Sequence, residues 1–255
     1  MMDSIHSSRS KSPTTQENVL CIETITLVRS IIALVLFMGL MDLLLVSVTS
    51  FSLYEFYWAL VIHLDPNGTA AIGESGGQMG FGGIKNSIAV AFDIWQNPQE
   101  DKLGVDHVSI RSKGAAVNDA FESGLLGVPR PYPLADGKIH AVRILYHNDL
   151  QVEYFDKLVA SPSLLPYLLG NGEHFHIGSL SVFMDDGIVN DSPLLSIPIN
   201  LSTLLDLPAD KAYVGFTAST GKQYAKHDIL SWTFCDQDHC EPVIKSQFNY
   251  RVNPP

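Results

Sequence analysis

Positive charge is what this chain is shortest of. Lys and Arg number 16 against 27 Asp and Glu, a net charge of −11 over 255 residues. A nucleic-acid interface needs a basic face, and so does docking on anionic lipid. The composition therefore excludes nucleic acid as a partner. Cysteine is scarce too, at three residues. Cys235 and Cys240 lie near the C-terminus with His239 beside them, and Cys21 stands alone. Two cysteines and one histidine with no second pair make a poor zinc signal. On an oxidising side, Cys235 and Cys240 would most simply form a small disulfide loop. Recognisable catalytic and nucleotide motifs are absent as well. The glycine-rich stretch 65–85 ends without Gly-Lys-Ser/Thr, so it is not a nucleotide loop, and no Gly-x-Ser-x-Gly elbow occurs.

Long apolar runs are nearly absent. The one candidate, residues 31–48 (IIALVLFMGLMDLLLVSV), is eighteen residues long and interrupted by Gly39 and Asp42. A helix that spans a bilayer needs about 20 such residues, and a central Asp costs about 3 kcal/mol on insertion scales. Arg9, Lys11 and Arg29 precede the run, and no Lys or Arg follows until Lys85. That asymmetry puts the N-terminus in the cytosol and the rest outside. The run reads as a signal peptide cleaved after Ser50, as an uncleaved anchor, or as a buried apolar segment of the domain. The first two readings make the protein secreted or single-pass, with membrane contact only through 31–48. They also bring three sequons into play, at Asn67, Asn190 and Asn200. Residues 1–18 are polar and rich in Ser and Thr, which predicts disorder.

What is present is apolar bulk and short strands. Apolar residues make up 46% and charged residues 17%, enough for a large core. Segments 53–64, 87–93, 107–110, 139–146, 150–156, 179–186, 194–201, 212–220 and 227–234 are β-branched and aromatic, with turn signals between them and almost no helical period. The pair 139–146 and 150–156 reads as a hairpin, and 161–176 as an inserted loop or short helix. This pattern indicates an all-β antiparallel sandwich or jelly roll. The expected organisation is a disordered and apolar segment over 1–50, a β-sandwich over 51–240 and a tail over 241–255.

One loop is crowded with oxygen donors. After the strand SIAVAFD come Asp93, Asn97 and Asp101, and then His107 opens the next strand. Carboxylates and an amide at intervals of four suit a hard cation, and the imidazole suits a softer one that shares the carboxylates. The alternative is a polar surface loop between two strands.

The blocks GGQMGFGGIKNSIAVAFDIWQN, DHVSI, DGKIHAVRILY and LPADKAYVGFTASTGKQYAKHDILSWTF resemble, in that order, the legume-type (L-type) lectin domain. The resemblance covers roughly residues 57–235. It implies a concanavalin-like sandwich that binds sugars through a calcium site and performs no chemistry. Its partners would be glycans or glycoproteins, and such sandwiches often form homodimers edge to edge. In the positions that match, Asp93, Asn97 and Asp101 would hold Ca2+ by side-chain oxygens, and Trp95 by its carbonyl. The Trp95 ring would stack on a sugar, and Asn97 would turn its NH₂ to a hydroxyl. Gly77 would donate a backbone N–H, and Lys222, Gln223 and Tyr224 would set specificity.

The sequence departs from the family in three places. Ala91 stands where the family's transition-metal site has Glu, so a Mn2+-type site built on Asp93, Asp101 and His107 is damaged. Phe56 stands where the family has a sugar-binding Asp, with Glu55 one residue away and therefore facing the other side of a strand. The family's early strands have no counterpart before residue 51, so the expectation is a sandwich that lacks them. Jelly-roll glycosidases carry Glu-x-Asp-x-x-Glu on one strand. Here those positions hold Ala91, Asp93 and Gln96, which leaves no catalytic pair.

Overall fold

A computed structural model describes residues 19–23, 36–38, 46–54, 57–95, 103–168, 177–206, 212–219 and 226–236. Twelve strands occur among the described residues: β1 (Val19–Glu23), β2 (Leu36–Met38), β3 (Val46–Tyr54), β4 (Tyr57–His63), β5 (Ser87–Asp93), β6 (His107–Ser112), β7 (Arg130–Pro131), β8 (Val142–His147), β9 (Gly178–Met184), β10 (Leu195–Ile199), β11 (Tyr213–Ser219) and β12 (Lys226–Asp236). They form two six-stranded sheets, one in the order β10-β9-β8-β1-β12-β3 and the other β2-β11-β4-β5-β6-β7. Every strand pair within them is antiparallel. The two sheets close on one core. Trp58, Leu60, Val90, Phe92, Val108 and Ile110 from the second sheet share it with Val142, Ile144, Leu180, Val182, Ile197 and Ile199 from the first. Trp58 lies flat on Phe92, its partner in the strand register, with ring centroids 3.8 Å apart and planes within 4°. Phe216 of β11 meets Trp232 of β12 edge-on across the sandwich at 5.3 Å. Aromatic pairs of this kind add about 1 kcal/mol beyond the area they bury.

The central strands of the second sheet are buried on both faces. All residues of β4, β5 and β6 are buried. One face meets the first sheet. The other meets Ala71, Met79, Phe81, Ile84 and Ala120, which pack with Tyr57, Ala59, Val61, Ala89 and Ala91. Two-sided burial explains why YWALVIH and SIAVAFD are nearly continuous apolar runs with only a weak alternation. The covering loop fits because of its glycines. At Gly80 (φ +71°) a Cβ would stand 2.8 Å from the Ala218 carbonyl oxygen, and at Gly73 it would stand 2.3 Å from the Gly80 oxygen.

Three expectations are corrected. The described parts of the first fifty residues are not a helix and do not precede the domain. β1 pairs with β8 and β12, β2 with β11, and β3 with β12. The sandwich thus has early strands after all. The segments VLCIE and VSVTSFSLY are β-branched and each fits a strand. Among the described residues no helix is long and apolar enough to cross a membrane. The hairpin over 139–156 also fails. β8 already has β1 on one side and β9 on the other, so no edge is left for a third partner. Residues Val152–Lys157 form a 3₁₀ helix instead, which buries Tyr154 edge-on against Phe183 at 5.6 Å and leaves Val152 and Phe155 exposed. Segment 161–176 contains the short helix Pro162–Tyr167, as its sequence predicts.

Candidate functional site at one end of the second sheet

Strand register assembles the site. Ser219 of β11 stands opposite Tyr57, Tyr57 opposite Asp93, Asp93 opposite His107 and His107 opposite Pro131. These five residues form one row across one end of the sheet. At about 4.8 Å per strand, Ser219 and His107 are roughly 14 Å apart. In antiparallel order, β11 and β5 end at this row while β4 and β6 begin there. The segments 55–56, 94–106 and 220–225 therefore all leave from the same end. They carry Phe56, Trp95, Asn97, Asp101, Lys222, Gln223 and Tyr224. Of these, Phe56, Asn97, Asp101, Lys222, Gln223 and Tyr224 lie outside the described residues, as do Glu55 and Cys240.

Asp93 is buried, 5% exposed, at the last position of β5. One carboxylate oxygen accepts the Trp95 backbone N–H at 2.8 Å, an Asx turn that lifts the chain off the strand. The Trp95 side chain is 39% exposed beside it. His107 is fully buried. Its Nδ1 lies 2.9 Å from the Val105 carbonyl, which can only accept, so Nδ1 carries the hydrogen. Nε2 then faces Asp93 Oδ2 at 4.0 Å. An imidazole oriented through Nδ1, with Nε2 beside a carboxylate, is the usual presentation of a histidine ligand.

Gly77 sits in a 3₁₀ turn, Gly76–Gln78, held against this end of the sheet. Ser219 Oγ donates to the Gly76 carbonyl at 2.5 Å, and Thr217 Oγ1 to the Met79 carbonyl at 3.1 Å. Gln78 Oε1 accepts the Ala120 N–H. Three strands and two loops thus bring Gly77, Asp93, Trp95 and His107 to one end of one sheet. Ser219, Thr217 and Gln78 hold the Gly77 turn, and no local sequence motif marks them. Their signal lies in pairing partners far along the chain.

The described residues hold only part of the donor set expected for either metal. For a Mn2+-type ion the described residues offer only Asp93 and His107. Ala91, fully buried and opposite Ser109, belongs to the apolar cluster with Met79 and Phe81 and supplies no ligand. Among the described residues no cluster of three His, Cys, Asp or Glu side chains could hold a metal. Among the described residues a transition-metal ion would meet the side chains of Asp93 and His107 and no glutamate. Of the residues expected to hold calcium, Asp93 and Trp95 are described, joined by the Asx turn, and Asn97 and Asp101 lie outside the described residues.

A second carboxylate–imidazole pair lies elsewhere. His140 Nδ1 is 2.7 Å from Asp185 Oδ2, and its Nε2 is 3.1 Å from Asp136 Oδ1. Asp185 also accepts the Tyr132 hydroxyl at 2.5 Å and the Ala141 N–H at 2.7 Å. Hydrogen bonding to Asp185 raises the His140 pKa, outweighing its burial. Burial pushes Asp185 upward, but the bonds from His140, Tyr132 and Ala141 hold its carboxyl below the ordinary value.

Comparison with known proteins locates the class. A family model, "Legume lectin domain", matches residues 176–248. The chain is 46% identical over 155 residues to an L-type lectin-domain containing receptor kinase, VII.1, of Arabidopsis thaliana; the match covers 59% of this chain and 18% of the relative. It is 28% identical over 150 residues to receptor kinase V.9 of the same plant, covering 58% and 18%. The chain thus spans less than a fifth of the length of these relatives. Among solved structures, lectin I-B4 from Griffonia simplicifolia in metal-free form has a TM-score of 0.48 at 18% identity, covering 89% of this chain and 75% of that one.

The family model and the plant relatives bear out the resemblance to the L-type lectin domain. That is a class of non-enzymatic binding domains.

Proposed function

We propose that this chain is a glycan-binding module of the L-type lectin kind, with its site at the Ser219–Tyr57–Asp93–His107 end of the second sheet. The observation that carries the reading is the convergence there of a pinned Gly76–Gln78 turn, a buried carboxylate and an exposed indole. Fixed backbone donors beside one aromatic platform suit a ligand with many hydroxyls. Asp93, Asn97 and Asp101, with the Trp95 carbonyl, would hold Ca2+, which supplies rigidity to the amide that meets the sugar. No transition metal takes part, because Ala91 offers no ligand. Trp95 stacks on the apolar face of the ring, Gly77 donates its N–H, and Lys222, Gln223 and Tyr224 select among sugars.

The domain faces the extracytoplasmic side, in keeping with the receptor kinases it resembles. Of the three sequons, Asn67 and Asn190 are exposed. Asn200 is 6% exposed and caps the helix Leu201–Leu204 by accepting the Thr203 N–H, which bars it from glycosylation.

The test is a glycan array run with calcium and again with chelator. The reading expects binding with calcium and its loss with chelator. A silent array at high protein concentration would overturn it and favour an adhesion module that keeps the scaffold without the sugar.

A further inference from the structure

The sequence suggests a bridge between Cys235 and Cys240, but the strand register brings Cys235 another partner. β1 and β12 run antiparallel, and Cys21 stands directly opposite Cys235, flanked by the pairs Leu20–Asp236 and Ile22–Phe234. Directly opposed residues in an antiparallel pair have Cα atoms about 4.5–5.5 Å apart and share one face of the sheet. That lies within the range of about 4.4–6.8 Å that a disulfide requires. Two of the three cysteines in 255 residues therefore occupy one rung of one ladder.

We infer that Cys21 and Cys235 form a disulfide that staples the N-terminal strand into the middle of the first sheet. The chemistry is thiol–disulfide exchange with a small-molecule disulfide such as oxidised glutathione. The two thiols give up two protons and two electrons and form one S–S bond, and the oxidant leaves as two thiols. The bridge closes nearly the whole chain into a loop, whereas a Cys235–Cys240 bridge would close four intervening residues. Loop-closure entropy therefore favours the long bridge as the stabilising one. It would also fix β1, which supplies the ladder between β8 and β12. The inference stands apart from the glycan reading and does not depend on it.

The experiment uses the full chain refolded in a glutathione redox buffer, with free thiols then blocked. Cleavage before Asp236 and Asp238 separates Cys235 from Cys240, and unreduced fragments are identified by mass. A fragment linking Cys21 to Cys235, with Cys240 blocked, is the expected result, and Cys240→Ser leaves it intact. Thiol reductant then lowers the melting temperature of wild type and Cys240→Ser by about 5–10 °C and leaves Cys21→Ser unmoved. A Cys235–Cys240 or Cys21–Cys240 fragment, or three blocked thiols, overturns the inference. Should Cys21→Ser fail to fold, the fragment map of wild type and Cys240→Ser decides alone.

Discussion

Two buried histidines of this protein each face a carboxylate, and the two are held differently. His140 has a carboxylate at each nitrogen, 2.7 and 3.1 Å away, and its main partner Asp185 also takes a hydroxyl and a backbone N–H. With an acceptor at both nitrogens, the ring is satisfied only as the cation. His107 gives its Nδ1 hydrogen to a backbone carbonyl and holds Nε2 4.0 Å from Asp93, too far for a hydrogen bond. One pair is closed and ties the segment 132–141 to the end of β9. The other keeps its two heads apart at the end of a sheet where loops gather. The same residue types form a closed hydrogen-bonded network in one place and, on the proposed reading, part of a binding site in the other.

The sharpest way to separate them is to break each. Asp185→Asn removes the charge that His140, Tyr132 and the Ala141 N–H share, and leaves a buried imidazolium short of its partner. We expect a loss of about 2–3 kcal/mol in denaturant unfolding, with glycan binding of the folded fraction unchanged. An unchanged unfolding midpoint would show that the closed pair is not structural.

Titration extends the contrast. The His140 pKa is raised, so its contribution is complete below about 6.5 and fades as pH rises through the raised value. The Asp185 pKa is lowered, so its contribution is complete above about 3.8 and fades as pH falls. The closed pair is therefore fully formed between those limits. His63 works in the opposite sense. Its ring stacks on Tyr213 at 5.4 Å and its Nδ1 accepts the Asp65 N–H at 3.1 Å, while burial depresses its pKa to about 4. The unfolded chain takes up a proton near pH 6.5 that the folded one refuses. Stability then falls between pH 6.5 and 4 by at most about 3 kcal/mol. Urea unfolding across that window should show the decline in wild type and a shallower one in His63→Gln. Parallel slopes would remove His63 from the account.

Legibility in the sequence follows the same division. The strands with two apolar faces, β4 to β6, and the last two, β11 and β12, are plain from composition. Asp93 and His107 are plain from their place at strand ends around an oxygen-rich loop. The closed pair is not, because His140 and Asp185 are 45 residues apart and no local pattern joins them. The early strands are hidden for another reason. Residues 31–48 have a targeting segment's hydropathy, and only pairing with β11 and β12 reveals what β2 and β3 are. The hairpin over 139–156 misleads because an alternating sequence cannot announce that its neighbour strand already has two partners.

Breaking the open pair should give the mirror image of Asp185→Asn. Asp93→Ala loses the bond to the Trp95 N–H among its contacts, so without calcium it should cost at least about 1 kcal/mol. The calcium-dependent rise in melting temperature, and glycan binding with it, should vanish. A variant that still gains stability from calcium would remove Asp93 from the metal's ligands.

The smallest effect tests whether the Gly77 turn belongs with the open pair. Ser219 shares a row with Asp93, two strands away, and its hydroxyl holds the Gly76 carbonyl. Ser219→Ala deletes that one bond and should cost at most about 1 kcal/mol, leaving calcium-linked stabilisation intact because Asp93 is untouched. Glycan affinity should fall several-fold, since the Gly77 N–H loses its support while every metal ligand remains. Unchanged affinity, measured by calorimetry on the best array ligand, would place the sugar on Trp95 and the 220–225 segment alone and detach the glycine turn from the site.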